Sequence, residues 1–113
     1  MPSLGFTVFR EKILDGSKTQ TIRRARKRII HAGERLYLYW GFRTKACQSL
    51  LVGRCVAVMR LPYSAFKNDE GIARLDGFAS AEEMRAFLER VHDKNVKPPT
   101  DETLFDIIRW EVI

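Results

Sequence analysis

The segment 15–28, DGSKTQTIRRARKR, carries side chains that together could activate a hydroxyl as a nucleophile. The hydroxyl of Thr21 becomes a nucleophile once a base removes its proton, and Lys18 can be that base if its pKa falls from about 10.4 toward neutrality. Burial or nearby positive charge lowers a lysine pKa, and Arg23 and Arg24 supply such charge. The alternative is that Lys18 is an ordinary turn residue and Thr21 an ordinary strand residue facing solvent.

Backbone geometry limits how Lys18 and Thr21 can meet. The β-branched content of residues 19–24 predicts a strand with Ile22 facing the core. Side chains alternate along a strand, so residues three apart point to opposite faces. We therefore expect Lys18 to lie in a turn after Gly16, because glycine readily adopts the backbone conformation of such a turn. From there its long side chain can fold back over Thr21.

Positive charge is concentrated directly after Thr21. The cluster comprises Arg23, Arg24, Arg26, Lys27 and Arg28, and a second basic patch contains Arg43 and Lys45. If the two patches lie side by side across a sheet, they form a basic cleft suited to phosphates. The sequence predicts that Arg24, Arg26, Lys27 and Arg28 contact nucleic acid, and the alternative is a solvated basic loop.

Aromatic residues precede the second basic patch. Tyr37, Tyr39, Trp40 and Phe42 offer faces for base stacking. We predict that a substrate is bound by Arg23, Tyr39, Arg43 and Lys45. The alternative places Trp40 in the core.

The two histidines, His31 and His92, are far apart in the sequence. An acid–base pair of imidazoles would suit RNA cleavage, because imidazole titrates near neutrality. A cation at the end of a helix, where His92 is expected, is also favourable without any catalytic role.

The predicted elements mix helices and strands without the regular alternation of a parallel sheet. Residues 6–15 predict a short helix with Phe6 and Phe9 on its apolar face, residues 36–40 a strand, and residues 50–59 one or two strands with a bulge. Ser80 and Glu83 form a capping box before a helix over residues 80–92. A last strand over residues 104–113 is expected to point Ile108, Trp110 and Val112 inward. The pattern predicts an α+β domain, a small β-barrel with two or three flanking helices.

Composition restricts the class of protein. The 113 residues, of which 45% are hydrophobic and 30% charged, predict a single globular domain over residues 1–113. The net charge of +6 favours a polyanionic partner. We expect a cytoplasmic protein with no membrane association, because there is no secretory signal and no apolar run of the roughly 20 residues that cross a bilayer. The two cysteines cannot form a disulfide framework, and the sequence lacks the spacing of a four-ligand zinc site.

The segment GSKTQTIR resembles the signature of the ASCH domain family, G-x-K-x-x-[E/T]-x-R. Gly16, Lys18, Thr21 and Arg23 match its defined positions. The segments ILDG, GERLYLYW and DGF extend the resemblance over most of the chain. The resemblance implies a PUA-like barrel and a partner that is RNA or a nucleoside.

One bacterial branch of that superfamily removes acetate from N(4)-acetylcytidine with a lysine, a threonine and a glutamate. Carried over by position, the resemblance implies that Lys18 and Thr21 are catalytic. The acid is open between Asp76 and Glu70, and Asp76 is preferred because it directly precedes the capped helix. No metal or cofactor is implied. The alternatives are a noncatalytic RNA-binding regulatory module and a ribonuclease, and the sequence leaves the oligomeric state open.

Overall fold

The computed structural model describes residues 3–25, 28–41, 45, 47–90 and 97–113. Five strands and four short helices lie in these ranges, and their bounds are β1 (Ser3–Phe6), α1 (Arg10–Leu14), β2 (Gln20–Arg24), β3 (Arg35–Trp40), β4 (Gln48–Pro62), α2 (Tyr63–Phe66), α3 (Glu70–Asp76), α4 (Ala81–Leu88) and β5 (Leu104–Val112). The predicted α+β class is confirmed, with four helices where two or three were expected.

All five strands form one curled sheet with the order β1-β3-β4-β5-β2. Only the β1–β3 pair is parallel, and β1 and β2 are the two edges. The long central strand β4 has a bulge between Cys55 and Ala57, which increases its bend and twist. The sheet curls far enough for Arg23 on β2 to donate a hydrogen bond from Nη2 to the carbonyl of Gly5 on β1 (2.5 Å). The sheet is therefore a half-barrel whose open edges face each other.

Apolar side chains fill both sides of this sheet. Leu4, Leu36 and Leu38 belong to one core, and Phe66, Phe78 and Met84 belong to a second core that includes the helices. Strand β5 contributes to both, because its side chains alternate between the two faces. The members on β5 are Ile108 and Trp110 in the first core and Phe105 and Ile107 in the second.

The predicted inward position of Val112 is wrong. Its side chain is 59% exposed. Val112 lies opposite Gly53 on β4, and glycine has no side chain against which it could pack.

The first helix begins later than predicted. Phe6 lies in β1, where it pairs with Trp40 of β3, and α1 starts at Arg10. A local apolar spacing cannot reveal a strand whose partner is more than thirty residues away. The end of the helix is as expected, because Gly16 has a φ of +84° in the turn that follows.

The predicted N-cap of α4 at Ser80 is present. The Ser80 side chain accepts a hydrogen bond from the Glu83 backbone N–H (3.2 Å). The helix ends at Leu88, earlier than predicted, and the last predicted turn lies partly outside the described residues. None of the helices described is long and apolar enough to cross a membrane.

Candidate active site

A cavity of about 270 Å³ lies between the two edges of the half-barrel. Its walls come from β1 and the loop after it, from Lys18 and β2, from Asp76 at the end of α3, and from α4. Four of the predicted site residues line it, namely Lys18, Thr21, Arg23 and Asp76. The remaining wall is largely apolar and includes phenylalanine rings.

Lys18 reaches the cavity from a turn outside the strand. Gly16 has a positive φ, the Lys18 backbone N–H donates to the Lys12 carbonyl (2.9 Å), and β2 begins only at Gln20. Lys18 therefore precedes the strand, and the alternation of strand side chains does not fix the direction of its side chain. Its side chain and that of Thr21 line the same cavity, although they are three positions apart.

Lys18 and Asp76 form a buried ion pair. Lys18 Nζ lies 3.2 Å from Asp76 Oδ2, and the two side chains are 2% and 8% exposed. The same ammonium donates to the backbone carbonyl of Asp76. Of the two candidate acids, Asp76 is thus the one that contacts the lysine. Glu70 instead accepts a hydrogen bond from the Ala81 backbone N–H (3.1 Å), which joins α3 to α4.

Burial shifts the proton equilibria of both partners. It lowers the pKa of Lys18 to about 8, although the charge of Asp76 acts in the opposite direction. Burial likewise raises the pKa of Asp76, opposed by the charge of Lys18. Of the two causes that the sequence left open for Lys18, burial is the larger, and the charge of Arg23 contributes less. A lysine with a pKa of about 8 is partly neutral near pH 7 and can accept a proton.

Arg23 links the nucleophile candidate to the opposite edge of the sheet. Its Nε donates to Thr21 Oγ1 (3.2 Å), and its Nη2 donates to the Gly5 carbonyl. The guanidinium carbon also lies 4.8 Å from the centre of the Phe6 ring. Because Oγ1 accepts from Arg23, the hydroxyl proton of Thr21 remains available to a base.

Phe9 forms an aromatic wall in a strained backbone conformation. Its φ of 62° makes it the one non-glycine residue with positive φ in the described ranges. The ring packs edge-on against Phe78, with centroids 5.0 Å apart, and Lys18 Nζ lies 5.5 Å from its centre. Sequence reasoning did not identify this wall. Gly77 of the DGF segment is the left-handed residue that ends α3, so in the sequence it indicates a helix end and not the ring that packs against it.

Gly77→Ala is expected to destabilise the protein more than Gly33→Ala does. Both glycines have positive φ, so alanine at either position costs about 1–2 kcal/mol of backbone strain. At Gly77 a Cβ would also lie 3.1 Å from the Phe9 ring, whereas nothing lies within 4 Å at Gly33. This overpacking adds about 1–3 kcal/mol at Gly77. Urea unfolding of both variants measures the difference, and equal losses would contradict the contact.

Two predicted substrate-binding residues are described but do not line the cavity. Tyr39 is on β3 beside Gly5 of β1, and Lys45 is exposed; neither is among the residues that line the cavity. Arg43 lies outside the described residues.

Two of the residues predicted to contact nucleic acid are described by the structure, and both lie on the surface. Arg24 points to the opposite face from Arg23 and donates to the Lys97 carbonyl (2.7 Å). Arg28 is exposed and pairs with Glu34 (3.0 Å). Arg26 and Lys27 lie outside the described residues.

The histidine that the structure describes does not line the cavity. His31 is exposed in a loop and does not line it, and His92 lies outside the described residues. Across the described ranges, no three His, Cys, Asp or Glu side chains are grouped closely enough to hold a metal ion.

Comparison with solved structures identifies the class of fold. A protein of Enterococcus faecalis V583 from family DUF984 superposes with a TM-score of 0.74 and 18% identity, over 100% of this chain and 76% of that chain. The ASCH domain from Lactobacillus crispatus JV V101 gives a TM-score of 0.69 and 13% identity, over 98% of this chain and 79% of that one.

The ASCH protein of Zymomonas mobilis superposes with a TM-score of 0.61 and 16% identity, over 96% of this chain and 65% of that one. No model of a known protein family matches the sequence, and no curated protein does. The molecule is therefore a small α+β half-barrel with the fold of the ASCH domain structures, as the signature around Lys18 predicted.

Proposed function

We propose that this protein hydrolyses the amide of N(4)-acetylcytidine, or of a closely related N(4)-acylated cytosine, in the cavity between β1 and β2. The observation that carries the proposal is the buried Lys18–Asp76 pair lining the same cavity as the Thr21 hydroxyl. Burying an ammonium is costly, and a lysine with a lowered pKa in a cleft is typical of catalytic sites. If Lys18 were an ordinary turn residue, its ammonium would face solvent and would need no buried carboxylate beside it.

The reaction begins when Thr21 Oγ attacks the acetyl carbonyl carbon while neutral Lys18 takes the hydroxyl proton. In the tetrahedral intermediate the Arg23 guanidinium stabilises the negative oxygen. The C–N bond then breaks, and the Lys18 ammonium returns the proton to N4, which releases cytidine. Lys18 then deprotonates a water that attacks the acetyl ester on Thr21. When the ester C–O bond breaks, the Lys18 ammonium returns that proton to Thr21 Oγ1, and the acetic acid released ionises to acetate. Asp76 holds Lys18 in place and stabilises its charged form between these steps.

The size of the cavity supports a small substrate. Its volume of about 270 Å³ is near the lower end of ligand pockets, which start at about 300 Å³. A single pyrimidine with a short acyl group suits such a space better than a duplex does. Phe6, Phe9 and Phe78 provide an apolar wall for the base.

A noncatalytic RNA-binding module is the second candidate. The net charge of +6 and the exposed Arg24 and Arg28 favour it. The same cavity could then hold one unstacked base of an RNA strand. The ribonuclease alternative gains nothing from the geometry, because no histidine of the described residues lines the cavity.

Incubation with N(4)-acetylcytidine tests the proposal. We expect equal amounts of cytidine and acetate, measured by chromatography. Failure to form cytidine at high protein concentration, combined with RNA retention that weakens steeply with salt, would favour the binding module.

The rate of this hydrolysis should rise with pH up to about the pKa of Lys18, because only the neutral amine is a base. Below the pKa of about 8, kcat/KM should fall about tenfold for each pH unit, and above it the rate should level off. The charge of Asp76 raises the pKa of Lys18, so Asp76→Asn should move the midpoint to lower pH. A midpoint near 10.5, the ordinary value for lysine, would contradict the assignment.

A further inference from the structure

A second groove adjoins the cavity on the side of α4. It encloses about 310 Å³. It shares four lining residues with the cavity, namely Val8, Phe9, Phe78 and Phe87. The residues that it adds are Glu83, Ala86 and Arg90. The mechanism proposed above uses none of these three.

The added residues follow one side of α4. Glu83, Ala86 and Phe87 are spaced three and four positions apart, which puts them on one face of the helix. Arg90 follows in the turn that ends the helix, where its backbone N–H donates to the Phe87 carbonyl (3.3 Å). The helical part from Glu83 to Leu88 rises about 8 Å, and Arg90 lies two residues beyond it. A carboxylate and a guanidinium therefore stand at the two ends of a groove with a small alanine between them.

Both charged side chains are exposed and uncommitted to other described residues. The described contacts of Glu83 involve its backbone N–H, which the Ser80 side chain caps, and those of Arg90 likewise involve its backbone. A carboxylate can accept hydrogen bonds from sugar hydroxyls, and a guanidinium binds phosphate in a bidentate manner. The groove therefore offers polar groups of the two kinds that a sugar phosphate requires.

The chemistry of cytosine directs the sugar toward this groove. N4 and N1 lie on opposite sides of the pyrimidine ring. If the N4 amide is next to Lys18 and Thr21, then the sugar on N1 must point away from them, past the aromatic residues that the cavity and the groove share.

We propose that the groove formed by Glu83, Ala86 and Arg90 binds the ribose of a cytidine ligand and, in a cytidine nucleotide, its 5′-phosphate, with Glu83 accepting from the ribose hydroxyls and Arg90 contacting the phosphate. The orientation rests on the proposed function, but the site itself concerns binding and needs no turnover. It makes nucleotides, rather than free bases, the ligand class of this protein.

Calorimetric binding of reaction products tests the groove without catalysis. The ligands are cytosine, cytidine, deoxycytidine and cytidine 5′-monophosphate. We expect affinity to increase in the order cytosine, cytidine, monophosphate, with about a tenfold gain from the phosphate, as one charged hydrogen-bonded contact provides. Equal affinity for cytosine, cytidine and the monophosphate would overturn the proposal, whether or not N(4)-acetylcytidine is hydrolysed.

Surface variants identify the residues. Arg90→Ala should remove the gain from the phosphate and leave cytosine binding unchanged, whereas Arg54→Ala, an exposed arginine on β4, should keep it. Glu83→Gln should reduce the preference for cytidine over deoxycytidine, and Glu82→Gln should not. A phosphate gain that survives Arg90→Ala would overturn the assignment of Arg90.

The phosphate can belong to a free nucleotide or to an RNA chain. Adenylyl-(3′→5′)-cytidine presents the same 5′-phosphate as a diester. Binding as tight as that of the monophosphate, and equally sensitive to Arg90→Ala, would support the groove with RNA as the source. Weaker binding would support it with a free nucleotide as the source.

Discussion

Replacement of Lys18 by methionine should lower kcat/KM for N(4)-acetylcytidine by about a thousandfold, because it removes the general base. Methionine has a similar length and no charge, so the cavity keeps its shape. Lys67→Met is the matched control. Lys67 pairs with Asp101 at the surface (2.6 Å) and does not line the cavity, and its replacement should leave turnover unchanged.

The stability of the Lys18→Met variant must be measured with its activity. Removing one partner of a buried ion pair costs about 3–5 kcal/mol, since Asp76 is left without its counterion. The double variant Lys18→Met/Asp76→Asn removes that unpaired charge. If this variant is folded by circular dichroism and still hydrolyses the substrate at the rate of the original chain, Lys18 is not the base.

Replacement of Thr21 by valine should have an effect of similar size, on the order of a thousandfold or more in kcat, because valine has nearly the same shape but no hydroxyl. Product binding should be retained, since the cavity wall keeps its volume. Arg23 loses one acceptor but keeps its bond to the Gly5 carbonyl. Rate measurement together with cytidine binding separates lost chemistry from a lost cavity.

Thr19→Val is the control for the threonine, because Thr19 is in the same segment and does not line the cavity. The two catalytic replacements should not be additive. Residues that act as one unit lose nearly the full effect when either is removed, so Lys18→Met/Thr21→Val should be about as slow as each single variant. If the loss of rate in the double variant equals the product of the two single losses, Lys18 and Thr21 act independently.

Local sequence was sufficient for several features of the site. The bend at Gly16, the strand that carries Thr21 and Arg23, and the cap at Ser80 all depend on residues within a few positions of one another. Helix caps and turns are determined by the conformational preferences of single residues and by hydrogen bonds over short spacings. These features could therefore be predicted from the local sequence, without knowledge of which distant segments pack against it.

Errors arose where an element depends on a distant strand. Phe6 was assigned to a helix because its spacing to Phe9 suits one, but it pairs with β3 instead. The position of Tyr39 relative to the cavity also depends on distant strands, because Tyr39 lies on β3 opposite Gly5 of β1, and Gly5 lines the cavity. In the structure the cavity lies between β1 and β2, which are not adjacent in the sheet order but come together because the sheet curls.

The sequence by itself was sufficient to select Lys18, Thr21 and Arg23 as candidate site residues and to predict the turn at Gly16 that lets them line one cavity. Their spacing and the glycine before them are local properties of the chain. Only the tertiary structure decided that Asp76 rather than Glu70 lies against Lys18, across 58 positions of the chain. It also decided that phenylalanines form the wall and that burial lowers the lysine pKa. The reason is physical: burial and ion pairing depend on what surrounds a side chain in space, and residues far apart in sequence supply those surroundings.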